Sequence, residues 1–333
     1  MSVSNTSVVD PVMSVADLRI WVPGADGPVE VVEGVDFEVR PGEVFGIAGE
    51  SGSGKTITAL ALMGLLPSGG RSTGTARLGN IDLLSVSGRA WSRVRGVEIA
   101  MVFQDPLTSL HPMLTIGKQL VDHVVDHNLA TRNQAKARAI ELLELVRIPD
   151  PVASISAYPH QFSGGMRQRV AIAMALACSP KLLIADEPTT ALDVTVQAGI
   201  LHLIRDLCTT SDMAVLLITH DLGVMSAVAD RLAVYYAGRI VETGSLVDLL
   251  GKPRHPYTRG LLDALPAFHG GITAETFAPI PGSPPAPDAR PPACSFHPRC
   301  SWAQPQCSRE PVPLVDIGMG RSLACPVDPL KPE

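Results

Sequence analysis

Apolar and polar residues alternate in short runs over residues 12–48, and glycine and proline separate the runs. A continuous apolar run at residues 44–48 then predicts a buried strand, and residues 57–66 predict a helix after it. The N-terminal region is therefore strand-rich, with a strand–loop–helix unit near residue 50. The alternation with a period of two predicts antiparallel strands at residues 15–21, 29–32 and 35–39.

The pattern changes after residue 66. Strands are predicted at residues 73–84 and 97–103, and Pro106 follows the second one closely. Apolar residues at helical spacing then predict helices at residues 114–127 and 133–146. Residues 107–160 are therefore expected to form a helical insertion in a strand-rich domain.

Buried strands return in the second half of the chain. They are predicted at residues 182–187 and 214–219, and helices are predicted at residues 170–178 and 222–228. A short hairpin is expected around Ala237 and Gly238. Strands that alternate with helices in this way predict an α/β fold.

Composition narrows the class of protein. A length of 333 residues allows a full core and predicts two domains. A net charge of −6 argues against a nucleic-acid-binding protein, which needs a basic surface. No apolar run reaches the roughly 18 residues of a membrane span, and polar residues 1–11 are unlike a signal peptide. We therefore expect a soluble protein in the cytoplasm.

The glycine-rich loop between the first buried strand and its helix fits the pattern G-x-x-x-x-G-K-[ST]. Its glycines allow successive backbone N–H groups to point at one anion, and the helix N-terminus adds positive potential there. Lys55 would reach the β- and γ-phosphates of a nucleotide, and the Thr56 hydroxyl would hold Mg²⁺. A glycine-rich turn with a solvated lysine is the alternative, and the flanking strand and helix disfavour it. The loop reads Gly49-Glu50-Ser51-Gly52-Ser53-Gly54-Lys55-Thr56.

Two further motifs carry polar groups next to predicted elements. Ser163-Gly164-Gly165 opens a helix, which is typical of a second anion-binding nest. Asp186 and Glu187 end a buried strand, where an acidic residue usually accompanies the Mg²⁺ of a phosphate loop. The alternative is that these two acids cap the next helix.

Trp21 ends the first predicted strand. An exposed aromatic ring near a nucleotide site can stack on a base, and such stacking contributes about 1–3 kcal/mol with nucleic-acid bases. The alternative is a tryptophan that covers the edge of a sheet. Position in the sequence does not distinguish these two roles.

Four of the six cysteines lie in the last fifth of the chain, at a spacing of C-x₅-C-x₆-C-x₁₇-C among prolines. Disulfides are rare in the cytoplasm, so we interpret the four thiols as metal ligands that hold a segment with few apolar residues. The spacing fits neither zinc ribbons nor the bacterial ferredoxin run, and both zinc and iron–sulfur clusters stay open at this point. His297 could be a spare zinc ligand, and the favoured alternative is a histidine at the surface. The four residues are Cys294, Cys300, Cys307 and Cys325, whereas Cys178 and Cys208 are predicted to be ordinary core residues.

Together, these motifs resemble the nucleotide-binding subunit of an ABC transporter over residues 12–250. The phosphate loop precedes Ser163-Gly164-Gly165, and the strand end at Asp186-Glu187 precedes Ala191-Leu192-Asp193. The resemblance implies a P-loop NTPase core of ABC type with an antiparallel β subdomain and a helical subdomain at about residues 107–170. Phe162 and Met166 depart from the commonest signature residues, which puts a polar ribose contact from residue 166 in doubt.

The subfamily is indicated by residues 103–112 and 255–262 together with the proline-rich tail. These segments resemble the "D"-type ATP-binding subunits of oligopeptide/dipeptide importers, a group that also includes nickel importers. The resemblance implies that residues 251–333 form the C-terminal extension of that group, and it favours [4Fe–4S] over zinc on the four cysteines. Because the nucleotide motifs all precede residue 221, ATP binding is predicted to persist when Cys300 is replaced.

The same resemblance assigns roles at an ATP·Mg²⁺ site. Glu187 would polarise the attacking water, His220 would contact the γ-phosphate, and Gln104 would complete the metal shell with Thr56 and Asp186. Two such domains pair head to tail, so the signature would contact ATP bound to the partner. The residues implied to contact nucleotide or to tie the two sites are Trp21, Gly49, Ser51, Gly52, Ser53, Gly54, Lys55, Thr56, Ser163, Gly164, Gly165, Asp186 and Asp193.

The implied function is ATP-driven import of short peptides at the cytoplasmic face of the cell membrane. The implied partners are a second ABC ATPase subunit, which makes a heterodimer, two transmembrane permease subunits and an extracytoplasmic peptide-binding protein. A nickel-importer ATPase and a soluble, non-transport ABC ATPase are the alternatives. A regulatory subunit without hydrolysis is a third, and intact Lys55, Glu187 and His220 disfavour it.

Overall fold

The computed structural model describes residues 10–190, 192–265 and 279–331. Within these ranges the chain forms two β-sheets and several helices. The strands, in chain order, are β1 (Met13–Gly24), β2 (Gly27–Val39), β3 (Val44–Ala48), β4 (Arg71–Leu78), β5 (Ile81–Asp82), β6 (Ile99–Val102), β7 (Leu182–Asp186), β8 (Ala214–Thr219), β9 (Arg231–Tyr236), β10 (Arg239–Ser245), β11 (Val315–Gly318) and β12 (Arg321–Leu323).

The helices fill the intervals between strands. No helix in the described ranges is both long enough and apolar enough to cross a membrane. In chain order the α-helices are α1 (Lys55–Leu62), α2 (Trp91–Val94), α3 (Pro106–Ser109), α4 (Ile116–Asp126), α5 (Arg132–Leu145), α6 (Pro151–Ser154), α7 (Gly164–Leu176), α8 (Val194–Ser211), α9 (Leu222–Val228), α10 (Leu246–Gly251) and α11 (Pro256–Asp263).

The larger sheet has the strand order β11-β12-β10-β9-β3-β8-β7-β6. Strands β9, β3, β8, β7 and β6 are parallel, whereas β10, β12 and β11 are added by antiparallel pairing. Every residue of β3, β7 and β8 is buried, as expected for parallel strands that are covered on both faces. The α/β fold predicted from the hydrophobic pattern is therefore present.

The smaller sheet is antiparallel, in the order β2-β1-β4-β5. The separate strands predicted at residues 29–32 and 35–39 are one strand, β2. Gly34, at φ +66°, takes up an irregularity in the register between Leu18↔Val35 and Ile20↔Val32 and does not reverse the chain. Conversely, the strand predicted at residues 73–84 is a hairpin, because Gly79 at φ +55° turns β4 into β5.

The phosphate-loop helix is displaced from its predicted bounds. It begins at Lys55, two residues early, and ends at Leu62 and not at residue 66. Gly64 adopts φ +62° after the last turn, and a Cβ there would lie 2.3 Å from the Trp91 ring. A glycine packed beneath an aromatic ring therefore ends this helix.

Helices α3 to α7 form the helical region that the pattern predicted, and α7 begins earlier than expected because Ser163 caps it. The Ser163 hydroxyl accepts a hydrogen bond from the Met166 N–H at 3.4 Å. Leu110 lies in the core that these helices share with the larger sheet and is 4% exposed. Cys178 and Cys208 are buried, as predicted for core residues, and burial raises the pKa of each thiol to about 11.

The C-terminal segment, residues 279–331, packs directly on the preceding part of the chain, residues 10–265, which we call the cassette. Strand β12 pairs with β10 and so extends the larger sheet, which the sequence did not predict. Phe296 is 4% exposed and packs edge-on against Tyr236, with ring centroids 5.2 Å apart. The segment therefore shares the core of the preceding residues, and the metal expected at its four cysteines stays a prediction.

A buried carboxylate also holds the segment. Glu242 is 0% exposed and accepts hydrogen bonds from the backbone N–H groups of Arg254 and His255, at 2.8 and 3.0 Å. It forms an ion pair with Arg321 of β12 at 2.8 Å, and Arg321 is 8% exposed. The cassette and the C-terminal segment thus share a buried ion pair.

We predict that Glu242→Ala destabilises the protein by about 3–5 kcal/mol, because it leaves the buried Arg321 guanidinium without a counter-ion. Urea denaturation followed by circular dichroism measures the loss. Glu141→Ala is the control, since its ion pair with Arg138 is exposed, and it should cost less than about 0.5 kcal/mol. Equal stability of the two variants would show that the Glu242 ion pair contributes nothing.

Candidate nucleotide-binding site

The candidate site lies at the carboxyl edge of the parallel strands. The phosphate loop follows β3, Gln104 follows β6, Glu187 follows β7 and His220 follows β8. Parallel strands present their carboxyl ends at one edge of the sheet, and ligands of open α/β folds bind there. The strand order β3-β8-β7-β6 therefore brings together side chains that are up to about 170 residues apart in the sequence.

The phosphate loop is folded around the Lys55 ammonium group. Lys55 is 5% exposed, and its Nζ donates to the carbonyl oxygens of Gly49 and Glu50 at 2.7 and 2.8 Å, with Ser53 Oγ at 3.4 Å. Gly52 and Gly54 adopt φ +78° and +104°, which favour glycine. Burial lowers the pKa of Lys55, and the nearby carboxylates, chiefly Glu187, oppose this only in part.

Thr56 and Asp186 form the second part of the site. The Thr56 hydroxyl donates to Asp186 Oδ1 at 3.2 Å. Burial raises the pKa of Asp186, and the hydrogen bond from Thr56 acts in the opposite direction. Hydroxyl and carboxylate oxygens are the ligand types that Mg²⁺ takes, so this pair could hold the ion beside the phosphate loop.

Glu187 is the hub of the third part. Its Oε1 lies 2.7 Å from His220 Nδ1, while its Oε2 accepts hydrogen bonds from Gln104 Nε2 and the Thr190 hydroxyl, both at 2.9 Å. Burial disfavours the charged carboxylate, but the hydrogen bonds from His220 and Thr190 outweigh burial and lower the pKa of Glu187. Glu187 is therefore held as a carboxylate.

The backbone aims this carboxylate. Glu187 has φ +46°, an unusual conformation for a residue with a side chain, and its N–H donates to Ile218 O at 2.8 Å. That bond continues the ladder between β7 and β8 for one residue beyond β7. Such strain is typical of functional sites, where neighbouring structure holds the residue in place.

Residues from each of the three parts, with Thr56 but not Asp186 from the second, line one open cavity of about 650 Å³. Trp21, which the resemblance implied to contact nucleotide, is not among the residues that line this cavity. Its neighbour Val22 lines the cavity, while the Arg71 guanidinium lies 4.9 Å from the centre of the Trp21 ring. Alternation along β1 gives the two side chains opposite faces. The residues that line the cavity are Val22, Val31, Ser51, Gly52, Gly54, Lys55, Thr56, Ile57, Leu60, Gln104, Glu187, Thr190, His220 and Pro287.

The serine–glycine motif and Asp193 lie together but outside this cavity. A Cβ on Gly165 would lie 2.3 Å from Val196 Cγ1, so the start of α7 packs closely on the start of α8. Asp193 caps α8 by accepting hydrogen bonds from the N–H groups of Thr195 and Val196 at 3.1 and 3.0 Å. Ala191, which the sequence grouped with Asp193, is outside the described residues.

The four C-terminal cysteines line one small cavity of about 10 Å³, together with His255, Phe296 and His297. Burial raises the pKa of the Cys294 thiol to about 11, and it raises the pKa values of Cys300 and Cys325 as well. His297 Nδ1 lies 2.8 Å from Cys294 O. The four cysteines, which lie between positions 294 and 325 in the sequence, thus converge on one cavity.

Several residues of the site were not predicted from the sequence. Thr190 joins Glu187 because the chain turns back after β7, and Pro287 reaches the cavity from the C-terminal segment. Thr190 lies three residues after Glu187, so proximity in the sequence was a usable signal. Nothing in the sequence around Pro287 pointed to the nucleotide loop.

Comparison with known proteins agrees with this geometry. The ABC transporter family model matches residues 32–190, and the model for the oligopeptide/dipeptide transporter C-terminal region matches residues 241–307. The oligopeptide transport ATP-binding protein AppD of Bacillus subtilis is 45% identical over 315 residues, which cover 94% of this chain and 95% of AppD. The chain belongs to the ATP-binding subunits of the oligopeptide/dipeptide ABC transporters.

Other members of this family align over the whole chain. OppD of Escherichia coli, an oligopeptide transport ATP-binding protein, is 44% identical over 99% of this chain and all of OppD. Among solved structures, the ATP-binding cassette MJ0796, a dimer bound to ADP and Pi, superposes with a TM-score of 0.63 at 26% identity. It covers 70% of this chain and 98% of MJ0796. The ABC cassette fold that the motifs predicted is thereby confirmed.

Because the chain belongs to a family of ATPases, the pH dependence of ATP hydrolysis can test the hydrogen bonds that surround Glu187. Thr190→Val removes one of the hydrogen bonds that lower the pKa of Glu187, so this pKa should rise. If Glu187 is the base, the acidic limb of the pH profile of ATP hydrolysis should move to higher pH, because a base acts only when deprotonated. Thr210→Val is the control, since its hydroxyl donates to Asp206 O in α8. An unchanged acidic limb in Thr190→Val would contradict a role for the Glu187 carboxylate.

Proposed function

We propose that this protein hydrolyses ATP to energise the import of short peptides across the cell membrane. The observation that supports it most strongly is the Glu187 carboxylate, held by Gln104, Thr190 and His220 at the same edge as Lys55 and the Thr56–Asp186 pair. The substrate class comes from the relatives, which are named as oligopeptide or dipeptide transport ATP-binding proteins.

The roles follow from the geometry. Lys55 and the N–H groups of the loop bind the phosphates, while Thr56 and Asp186 hold Mg²⁺, which neutralises charge on the phosphates when it is bound. Glu187 orients the attacking water and takes its proton, because its hydrogen bonds keep the carboxylate ionised and it lines the cavity. His220 lies 2.7 Å from Glu187 Oε1 and lines the same cavity, which suits contact with a terminal phosphate.

We propose that two ATPase subunits act together, with the second supplied by a different chain. Ser163, Gly164, Gly165 and Asp193 lie outside the cavity that contains Lys55, which suits contact with nucleotide on a partner. The dimer that MJ0796 forms with ADP and Pi bound supports this arrangement for the fold. Phe162 is 7% exposed and serves the core, so its departure from the usual signature is a packing difference.

The remaining partners follow from the type of transporter. Two permease subunits would contact the helical region near Gln104, and an extracytoplasmic peptide-binding protein would deliver substrate, which places this chain on the cytoplasmic face. Met113, which is 77% exposed, is one of the exposed apolar side chains of this region that could make such contact, whereas Leu110 is buried. The match to the transporter C-terminal region disfavours a non-transport ATPase, and the peptide names of the relatives disfavour nickel.

We predict that Glu187→Gln keeps nucleotide affinity and lowers turnover by about 10²–10⁴-fold, because the amide cannot accept the proton. ATP binding and phosphate release should be measured on the same preparation, together with the partner ATPase.

Two variants make the Glu187 result interpretable. Lys55→Ala should weaken binding itself, since it removes the ammonium group that faces the phosphates. Glu141→Gln is the matched control on the exposed face of α5 and should leave turnover unchanged. Turnover near that of the wild type in Glu187→Gln, with the partner's own site inactivated, would refute the assignment.

We further propose that the four cysteines hold a [4Fe–4S] cluster. All four cysteines line one cavity, which brings four thiols from separate positions of the segment together. Four thiolates are the usual ligands of such clusters, and the resemblance to the peptide-importer group favours the cluster over zinc.

Iron analysis tests the cluster. Anaerobically purified protein should be brown and contain about four irons per chain, and Cys300→Ser should lose both properties. Cys208→Ser is the matched control, because Cys208 is buried elsewhere in the core. Stoichiometric zinc without iron would reject the cluster and keep a four-thiol metal site.

A further inference from the structure

The C-terminal segment contacts the phosphate loop at Glu50, the second residue of the loop. Arg299 Nη1 and Nη2 donate to Glu50 Oε2 and Oε1 at 2.7 and 3.0 Å. This is a two-point ion pair between residues 249 positions apart, and the Arg299 side chain is 6% exposed. A planar guanidinium in this geometry fixes both the position and the orientation of the carboxylate.

The main chain of Glu50 is held as well. Its N–H donates to the Tyr257 hydroxyl at 2.9 Å, and its carbonyl oxygen accepts from Lys55 Nζ at 2.8 Å. Tyr257 is 0% exposed. One residue of the loop is therefore fixed through its N–H, its carbonyl and its side chain, and the first and last of these contacts come from beyond residue 250.

Arg299 is itself fixed by a rigid surround. Its Nε donates to Pro281 O at 2.8 Å, and Nη1 and Nη2 lie 3.3 Å from Tyr236 Oη and Gly282 O respectively. Phe296, three residues earlier, packs on both Tyr236 and Tyr257, with ring centroids 5.2 and 5.3 Å apart. These contacts therefore fix the orientation of the Arg299 guanidinium independently of Glu50.

A second contact lies on the same side of the cavity. Arg290 pairs with Glu33 at 2.5 Å and donates to Val31 O at 2.9 Å, and Val31 lines the nucleotide cavity. Pro287 lines that cavity directly. The stretch that carries Arg290 and Arg299 thus reaches the cavity at Pro287 and also holds the phosphate loop.

We propose that Arg299 is a positioning residue for ATP binding, and that the C-terminal segment sets nucleotide affinity through the Arg299–Glu50 pair. Lys55 uses the Glu50 carbonyl as one of its acceptors, so a displaced Glu50 moves the ammonium group that faces the phosphates. This revises the expectation that nucleotide binding is independent of the region around Cys300, which follows Arg299 directly. The inference rests on the proposed binding of ATP by the phosphate loop.

The test is a double-mutant cycle on the full-length chain with ADP and Mg²⁺ as the probe, measured by calorimetry. Arg299→Ala should weaken ADP binding about 10-fold, and Glu50→Ala should do so equally from the side of the loop. The double variant should lose no more than either single one, because both remove the same interaction. Arg299→Lys should restore part of the affinity, since an ammonium group cannot bind the carboxylate at two points.

A matched control separates positioning from general stability. Arg254→Ala removes another ion pair of the C-terminal segment, with Asp328, that does not contact the loop, and it should leave ADP affinity unchanged. In steady-state assays, Arg299→Ala should raise KM for ATP and leave kcat at saturating ATP within about twofold.

The outcomes are distinct. Wild-type affinity in both folded single variants, or an equal loss in Arg254→Ala, would overturn the positioning role while leaving ATP binding by the loop intact. Failure of the wild-type chain to bind ADP would instead overturn the proposed function, and the inference with it.

Discussion

A buried ammonium group governs the nucleotide site. Lys55 is almost fully enclosed, and an isolated buried cation would cost far more than the fold can supply. The loop compensates by turning two backbone carbonyls and a serine hydroxyl toward it. Because Gly49 and Glu50 provide those carbonyls, the loop curls around the position that phosphates would occupy. Positive φ at Gly52 and Gly54 makes that curl possible.

Around this loop the sheet concentrates opposite charge. Asp186 and Glu187 lie at the end of β7, which is next to β8 and two strands from β3. Both carboxylates therefore lie near the Lys55 ammonium group and act to raise its pKa, which burial lowers overall. They are not equivalent. Asp186 is the more buried and has a raised pKa, whereas the lowered pKa of Glu187 reflects its hydrogen-bond donors. Environments that separate two neighbouring carboxylates in this way suit a metal ligand and a base.

The C-terminal segment shares a sheet, a buried ion pair and core packing with the cassette. Pairing of β12 with β10, the buried Glu242–Arg321 ion pair and the packing of Phe296 on Tyr236 make it continuous with the cassette. Contacts of Arg299 and Arg290 then carry that continuity to the nucleotide cavity. A metal group among the four cysteines would therefore sit one residue from a side chain that holds the phosphate loop.

The sequence by itself determined the α/β class, the family and most of the cavity, because phosphate chemistry demands glycines, a lysine and acids at strand ends. It determined Lys55, Thr56, Asp186 and Glu187 for that reason. Tertiary structure decided the rest. The face of β1 on which the Trp21 side chain lies depends on the register of that strand. Side chains alternate along a strand, so a shift of one residue would move Trp21 to the other face. The partner of Glu50 is 249 residues away, and no local pattern encodes a contact made only when the chain closes on itself.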